Sequence, residues 1–72
     1  RMGYDVADNN KNYRSDQYGW LYSKDGKTLY FAYSLNGEDI RIPDSVDTVY
    51  KKGLMTENNK IKVHGLKRVK CC

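Results

Sequence analysis

Long apolar runs are missing from this chain. None approaches the roughly 18 residues of a membrane-spanning helix, and no charged-then-apolar signal segment opens it, so no membrane span is expected. Proline occurs once, as Pro43, histidine once, as His64, and cysteine only as the adjacent pair Cys71 and Cys72. Neighbouring cysteines do not easily reach relaxed disulfide geometry with each other, and a pair at this place staples nothing. With no CxxC spacing, no metal site is expected. The chain also lacks a glycine-rich phosphate loop, HExxH, GxSxG, an EF-hand loop and an Asn-x-Ser/Thr acceptor. His64 has no Ser, Asp or Glu beside it and reads as a structural or solvated residue. Asp25, Glu38, Asp39, Asp44 and Asp47 show no spacing that marks an acid/base pair. No catalytic residue and no cofactor follow, and the protein is expected not to be an enzyme.

Aliphatic side chains are scarce as well. Leu, Ile, Val and Phe supply 14 of the 72 residues, a share that by itself sits near the disorder limit of about 20%. Seven Tyr and one Trp tip the balance back toward a folded chain, because each ring buries roughly 150–250 Å² and favours a half-buried strand. A chain of this length buries only about 60% of its unfolded surface, so one small β-rich domain with a thin core is expected. The net charge of +4 is unevenly spread: residues 1–49 hold six cations and eight anions, residues 50–72 seven cations and one anion. Within the basic end, Lys60, Lys62, Lys67, Arg68 and Lys70 are the candidate partner-binding residues, through their summed field. The plainer reading of the same residues is a solvated face whose lysines guard strand edges.

Residues 1–17 carry scattered Asp and Asn without a sustained period and are expected to be a flexible lead-in. The opening Arg1-Met2-Gly3 reads as the start of a processed or excised piece. From Tyr18 the pattern becomes regular. Asp25-Gly26 and Asn36-Gly37 are preferred centres of two-residue type I′ turns, which predicts an antiparallel three-stranded meander over residues 18–42. The first turn pairs Tyr22 with Leu29, Trp20 with Phe31 and Tyr18 with Tyr33; the second pairs Tyr33 with Ile40 and Phe31 with Ile42. Both registers put Tyr18, Trp20, Tyr22, Leu29, Phe31, Tyr33, Ile40 and Ile42 on one face, all but Tyr18 expected as core, with Thr28, Tyr30, Ala32 and the apolar Leu21 on the reverse. After Pro43, Val46, Val49, Tyr50, Gly53 and Leu54 follow the stripe of a short helix or helical turn, with Asp44 or Ser45 as its cap. Glu57-Asn58-Asn59 marks a loop. Ile61, Val63, Leu66 and Val69 then alternate with basic residues as one or two short strands.

The string Ile42-Pro43-Asp44-Ser45-Val46-Asp47-Thr48-Val49-Tyr50-Lys51-Lys52-Gly53-Leu54 resembles the repeat of BspA-type leucine-rich repeat proteins, I-P-x-x-V-x-x-I-x-x-x-A-F. Ile42, Pro43, Val46 and Val49 match, Gly53 and Leu54 stand for Ala and Phe, and Leu66-Lys67-Arg68-Val69 is similar to the strand L-x-x-V that follows. The resemblance implies that residues 43–72 form a leucine-rich-repeat-like unit behind the meander. One repeat has too little neighbouring surface to bury its apolar face alone. A fragment or terminal cap of a longer array, self-association, or a separate core supplied by the aromatic meander is therefore expected. The implied role is a secreted or cell-surface adhesion module that binds a host or matrix protein. The competing expectation is an autonomous basic β module that binds nucleic acid, with Lys and Arg on phosphates and exposed tyrosines on bases.

Overall fold

Strand-forming residues cluster in Thr28–Tyr33, and the rest of the chain is organised around that one segment. The computed structural model describes residues 3–56 and 60–72; the loop expected at Glu57-Asn58-Asn59 lies outside them. Among the described residues there are eight short strands: β1 (Tyr13–Ser15), β2 (Leu21–Ser23), β3 (Thr28–Tyr33), β4 (Ile40–Arg41), β5 (Thr48–Val49), β6 (Leu54–Met55), β7 (Val63–His64) and β8 (Lys70–Cys71). Two 3-10 turns, Lys51–Gly53 and Leu66–Arg68, are the only helical elements among them. The mainly β class therefore stands. No helix of the described residues is long and apolar enough to cross a membrane.

The first reversal sits where Asp25-Gly26 places it, and Tyr22 faces Leu29 as expected. Its geometry differs from the expected two-residue turn. The Gly26 N–H donates to the Ser23 carbonyl (2.9 Å), and only Gly26 takes the left-handed φ, at 77°. The Asp25 carboxylate accepts from the Ser23 hydroxyl (2.7 Å) and the Lys27 N–H (3.0 Å). These two bonds, in that order, hold its pKa below the ordinary carboxylate range. One step along, a bulge between Leu21 and Tyr22 brings Leu21, not Trp20, opposite Phe31. Trp20 leaves the ladder and donates its indole N–H to the Tyr33 carbonyl (3.0 Å), which supplies the partner a buried indole needs.

The second reversal is a type I′ turn, with Asn36 at φ 57° and Gly37 at φ 77°, yet it does not build the third strand of the expected meander. β4 pairs with β7, in parallel, rather than with β3. The physical reason is that both edges of β3 are taken: β2 occupies one, and β5 and β6 run parallel along the other. The third antiparallel strand is instead β1, which pairs with β2 through Arg14 opposite Tyr22. The sheet thus begins inside the segment expected to be a lead-in. Residues further upstream join it, as the Tyr4 N–H donates to the Gly19 carbonyl (2.8 Å).

Parallel pairing repeats at a nearly constant interval. Leu29 lies beside Val49, Val49 beside Cys71, Ala32 beside Leu54 and Ile40 beside Val63, separations of 20, 22, 22 and 23 residues. The chain therefore winds in coils, each laying a strand on the one before. The expected helix over residues 46–54 does not form: Thr48 and Tyr50 donate their N–H groups to Lys27 and Leu29 of β3 and its approach, and β-branched Val46, Thr48 and Val49 suit that extended course. What survives is a single 3-10 turn. It absorbs the two-residue step between the β3–β5 and β3–β6 registers, and it sets Gly53 against the backbone of Tyr30.

The buried core is Trp20, Tyr22, Leu29, Ala32, Ile40, Ile42, Val46 and Val49, with Tyr33, Leu54, Ile61, Val63, Leu66 and Val69 packed around it. Three placements differ from those expected of the sequence. Tyr18, expected on the same face as the core, is exposed. Ala32, expected on the outer side, is fully buried in the core, with β6 paired beside it through Leu54. Phe31, expected in the core, is half-buried outside it, its ring edge-on to Tyr4 (centroids 5.2 Å apart) and 5.9 Å from Tyr33.

Candidate functional site

Residues beside one another in a ladder share a face, so the Leu29–Val49 register sets Tyr30 next to Tyr50 on the outer side of the sheet. Tyr13 of β1 completes the row. Ring centroids are 5.7 Å apart for Tyr13 and Tyr30 and 5.0 Å for Tyr30 and Tyr50. Tyr13 and Tyr50 are 43% and 44% exposed, and Tyr30 between them is half-buried. Desolvation, then the neighbouring Tyr50 and Tyr13, push the Tyr30 phenol above its ordinary pKa, so the middle of the row is uncharged at neutral pH. On the same face Thr28, Thr48 and Lys70 stand in line.

The five basic residues singled out from sequence are spread along the last coil. Lys60 and Lys62 precede β7, Lys67 and Arg68 lie in the second 3-10 turn, and Lys70 is in β8. Lys70 alone belongs to the sheet that carries the tyrosines. Arg68 is used internally. Its Nη1 donates to the carbonyls of Val46 (2.8 Å) and Asp44 (3.3 Å), and its Nη2 to those of Pro43 (3.0 Å) and Ile42 (3.3 Å).

A second feature lies where β2, the end of β3 and the Asn36-Gly37 turn meet. There a cavity of about 270 Å³ is walled by the rings of Tyr18, Trp20, Tyr22 and Tyr33. Asp16 organises that wall. Its Oδ1 accepts from the N–H groups of Tyr18 (2.9 Å) and Trp20 (3.1 Å), and its Oδ2 accepts from the Tyr22 hydroxyl (2.7 Å). Burial, followed by that bond to Asp16, raises the Tyr22 pKa well beyond the usual phenol range. Tyr22 therefore stays protonated at neutral pH.

Asp39, at the cavity's other side, joins two coils. Its Oδ2 lies 2.8 Å from His64 Nε2, and its Oδ1 accepts the Lys62 N–H (3.2 Å). The bond from His64, then that from Lys62, lowers the Asp39 pKa. A carboxylate with a lowered folded-state pKa contributes stability that is full above its unfolded value and lost as pH falls through the folded one. Melting followed by circular dichroism should therefore show a Tm that drops between about pH 5 and 2. Asp39→Asn should flatten part of that drop, and an unchanged profile in the variant would refute the linkage.

Sequence reasoning missed the His64–Asp39 pair, the tyrosine row and the cavity. Ile40-Arg41-Ile42 and Ile61-Lys62-Val63 alternate alike but do not fix the register, which pairs Ile40 with Val63 and so sets Asp39 beside Lys62. No protein-family model, curated protein or solved structure matches the chain.

Proposed function

We propose that this chain is a non-catalytic protein-interaction module of a secreted or cell-surface leucine-rich-repeat protein, and that its contact surface is the outer sheet face bearing Tyr13, Tyr30 and Tyr50. The exposed tyrosine row carries the reading. Tyrosine offers large amphipathic contact area for few rotatable bonds and is enriched where interfaces concentrate their binding energy. The repeat assignment draws support from the coil interval of 20–23 residues and from the Ile42-Pro43-x-x-Val46-x-x-Val49 string. Lys70 at the end of the face supplies a rim charge, and Lys60, Lys62 and Lys67 give the last coil a field that steers an acidic partner.

The test is binding to immobilised, purified extracellular-matrix proteins, run beside single- and double-stranded oligonucleotides at two salt concentrations. Saturable binding to a matrix protein is expected, weakened about 30-fold by Tyr50→Ala with Tm nearly unchanged. Binding only to oligonucleotides, falling steeply with salt, would replace this reading with the nucleic-acid one.

A further inference from the structure

The aromatic-walled cavity is separate from the tyrosine row that carries the proposed function. We propose that it receives a cationic side chain, arginine or lysine, presented by the protein partner; the proposal rests on the protein-interaction reading and deepens it. At about 270 Å³ the cavity is below the roughly 300–1,000 Å³ typical of sites for whole small ligands. That is room enough for one long side chain.

The charge of the lining selects the sign of the occupant. Asp16, Glu38 and Asp39 face one cation, Arg41, so the wall is net negative although the whole chain is positive. The three carboxylates differ in how they are held. Asp16 is half-buried and held in place by three hydrogen bonds. Asp39 is shared with His64. Glu38 follows the type I′ turn, is exposed, and its carboxylate has no hydrogen-bond or ion-pair partner among the described residues. Arg41 is also exposed and forms no ion pair among the described residues, and its single charge is outnumbered by the three carboxylates of the wall.

The rings supply the second requirement. Tyr18 is 43% exposed and its centroid lies 5.5 Å from that of Trp20, the planes tilted by 45°. Tyr33 borders the same space. Aromatic faces attract a guanidinium or ammonium placed within about 6 Å, and a nearby carboxylate strengthens that preference over a neutral guest. A sugar would use the rings and gain little from the net charge, and an anion would be repelled.

Trp20 is the only tryptophan, so its fluorescence reports on this cavity in the intact chain. Titration with N-acetyl-arginine methylamide should give a saturable change. N-acetyl-citrulline methylamide, its uncharged analogue, and methyl glucoside should give none at equal concentration. Glu38→Gln should weaken the arginine response about fivefold without moving Tm, and 0.5 M salt should weaken it further, by about the same factor. Equal responses to arginine and citrulline, or a response to the glucoside alone, would overturn the proposal. So would a concentration-dependent rise in sedimentation coefficient that Glu38→Gln abolishes, since it would assign the cavity to a second copy of the chain.

Failure here is distinguishable from failure of the interaction reading. Matrix-protein binding that depends on Tyr50 but ignores Glu38→Gln and Tyr18→Ala would remove the cavity's role alone. An arginine response in Trp20 with no protein bound would keep the cavity's cation preference and remove the interaction reading.

Discussion

Gly53→Ala is expected to destabilise the protein by about 3 kcal/mol or more, the upper end of what overpacking costs. A methyl built on Gly53 would stand 1.8 Å from the Tyr30 carbonyl oxygen and 2.8 Å from its carbon. Both are backbone atoms, with no flexible side chain to move aside. Nor can the strand yield, because β3 is held by β5 at Thr28 and Leu29 and by β6 at Ala32 and Tyr33. A domain of this size has a total stability of only about 4–10 kcal/mol, so the loss should lower Tm by roughly 12 °C or more. Gly37→Ala is the control. Unlike Gly53 it demands a left-handed residue, at φ 77°, but it has open space around it, and its cost should stay at about 1–2 kcal/mol. Equal melting of the two variants would show that the backbone at Tyr30 gives way and that the close approach does not fix glycine at position 53. The outcome also bears on the proposed repeat assignment, since alanine is the residue the BspA-type pattern carries there.

Replacing Arg68 should be the next most damaging change. Its guanidinium spans four carbonyls of residues 42–46, the segment that leads from β4 into β5. Hydrogen bonds to a charged donor contribute about 1.5–3 kcal/mol; the exposure of Arg68 and the length of two of its bonds put the expected loss for Arg68→Met near 2 kcal/mol. Arg68→Lys should recover less than half, because an ammonium is a point charge and cannot reproduce the planar fork. Lys67→Met, one residue earlier in the same exposed turn, should change stability by less than about 0.5 kcal/mol. Chemical denaturation of the three variants checks the ordering, and similar midpoints for Lys67→Met and Arg68→Met would refute it.

The position of the first hairpin, the Tyr22–Leu29 pair and the left-handed Asn36-Gly37 reversal were all legible in the sequence, because each is decided within a few residues. Which strand takes which edge was not. A type I′ turn fixes how the chain reverses, yet β4 was free to pair elsewhere once β5 and β6 had covered β3. The stripe Val46, Val49, Gly53, Leu54 was ambiguous for a similar reason. A spacing of three suits both a helix and a coil that turns a corner, and the corner here is marked by the Val46 N–H donating to the Pro43 carbonyl (3.0 Å). Basic residues stood out as binding candidates because charge is countable. The tyrosine row became visible only through the 20-residue offset that aligns Tyr30 with Tyr50, and Arg68 could be recognised as internal only once its four acceptors were in place.

The placement of β3 at the centre of the main sheet also sets an order of events in time. Its contacts with β2 close a loop of only a few residues. Each parallel contact must close one of about 20 residues, at a greater entropic penalty. The β2–β3 ribbon therefore forms early and serves as the template onto which later coils wind. Substitutions in that ribbon should slow refolding, whereas those in β7 or β8 should chiefly hasten unfolding.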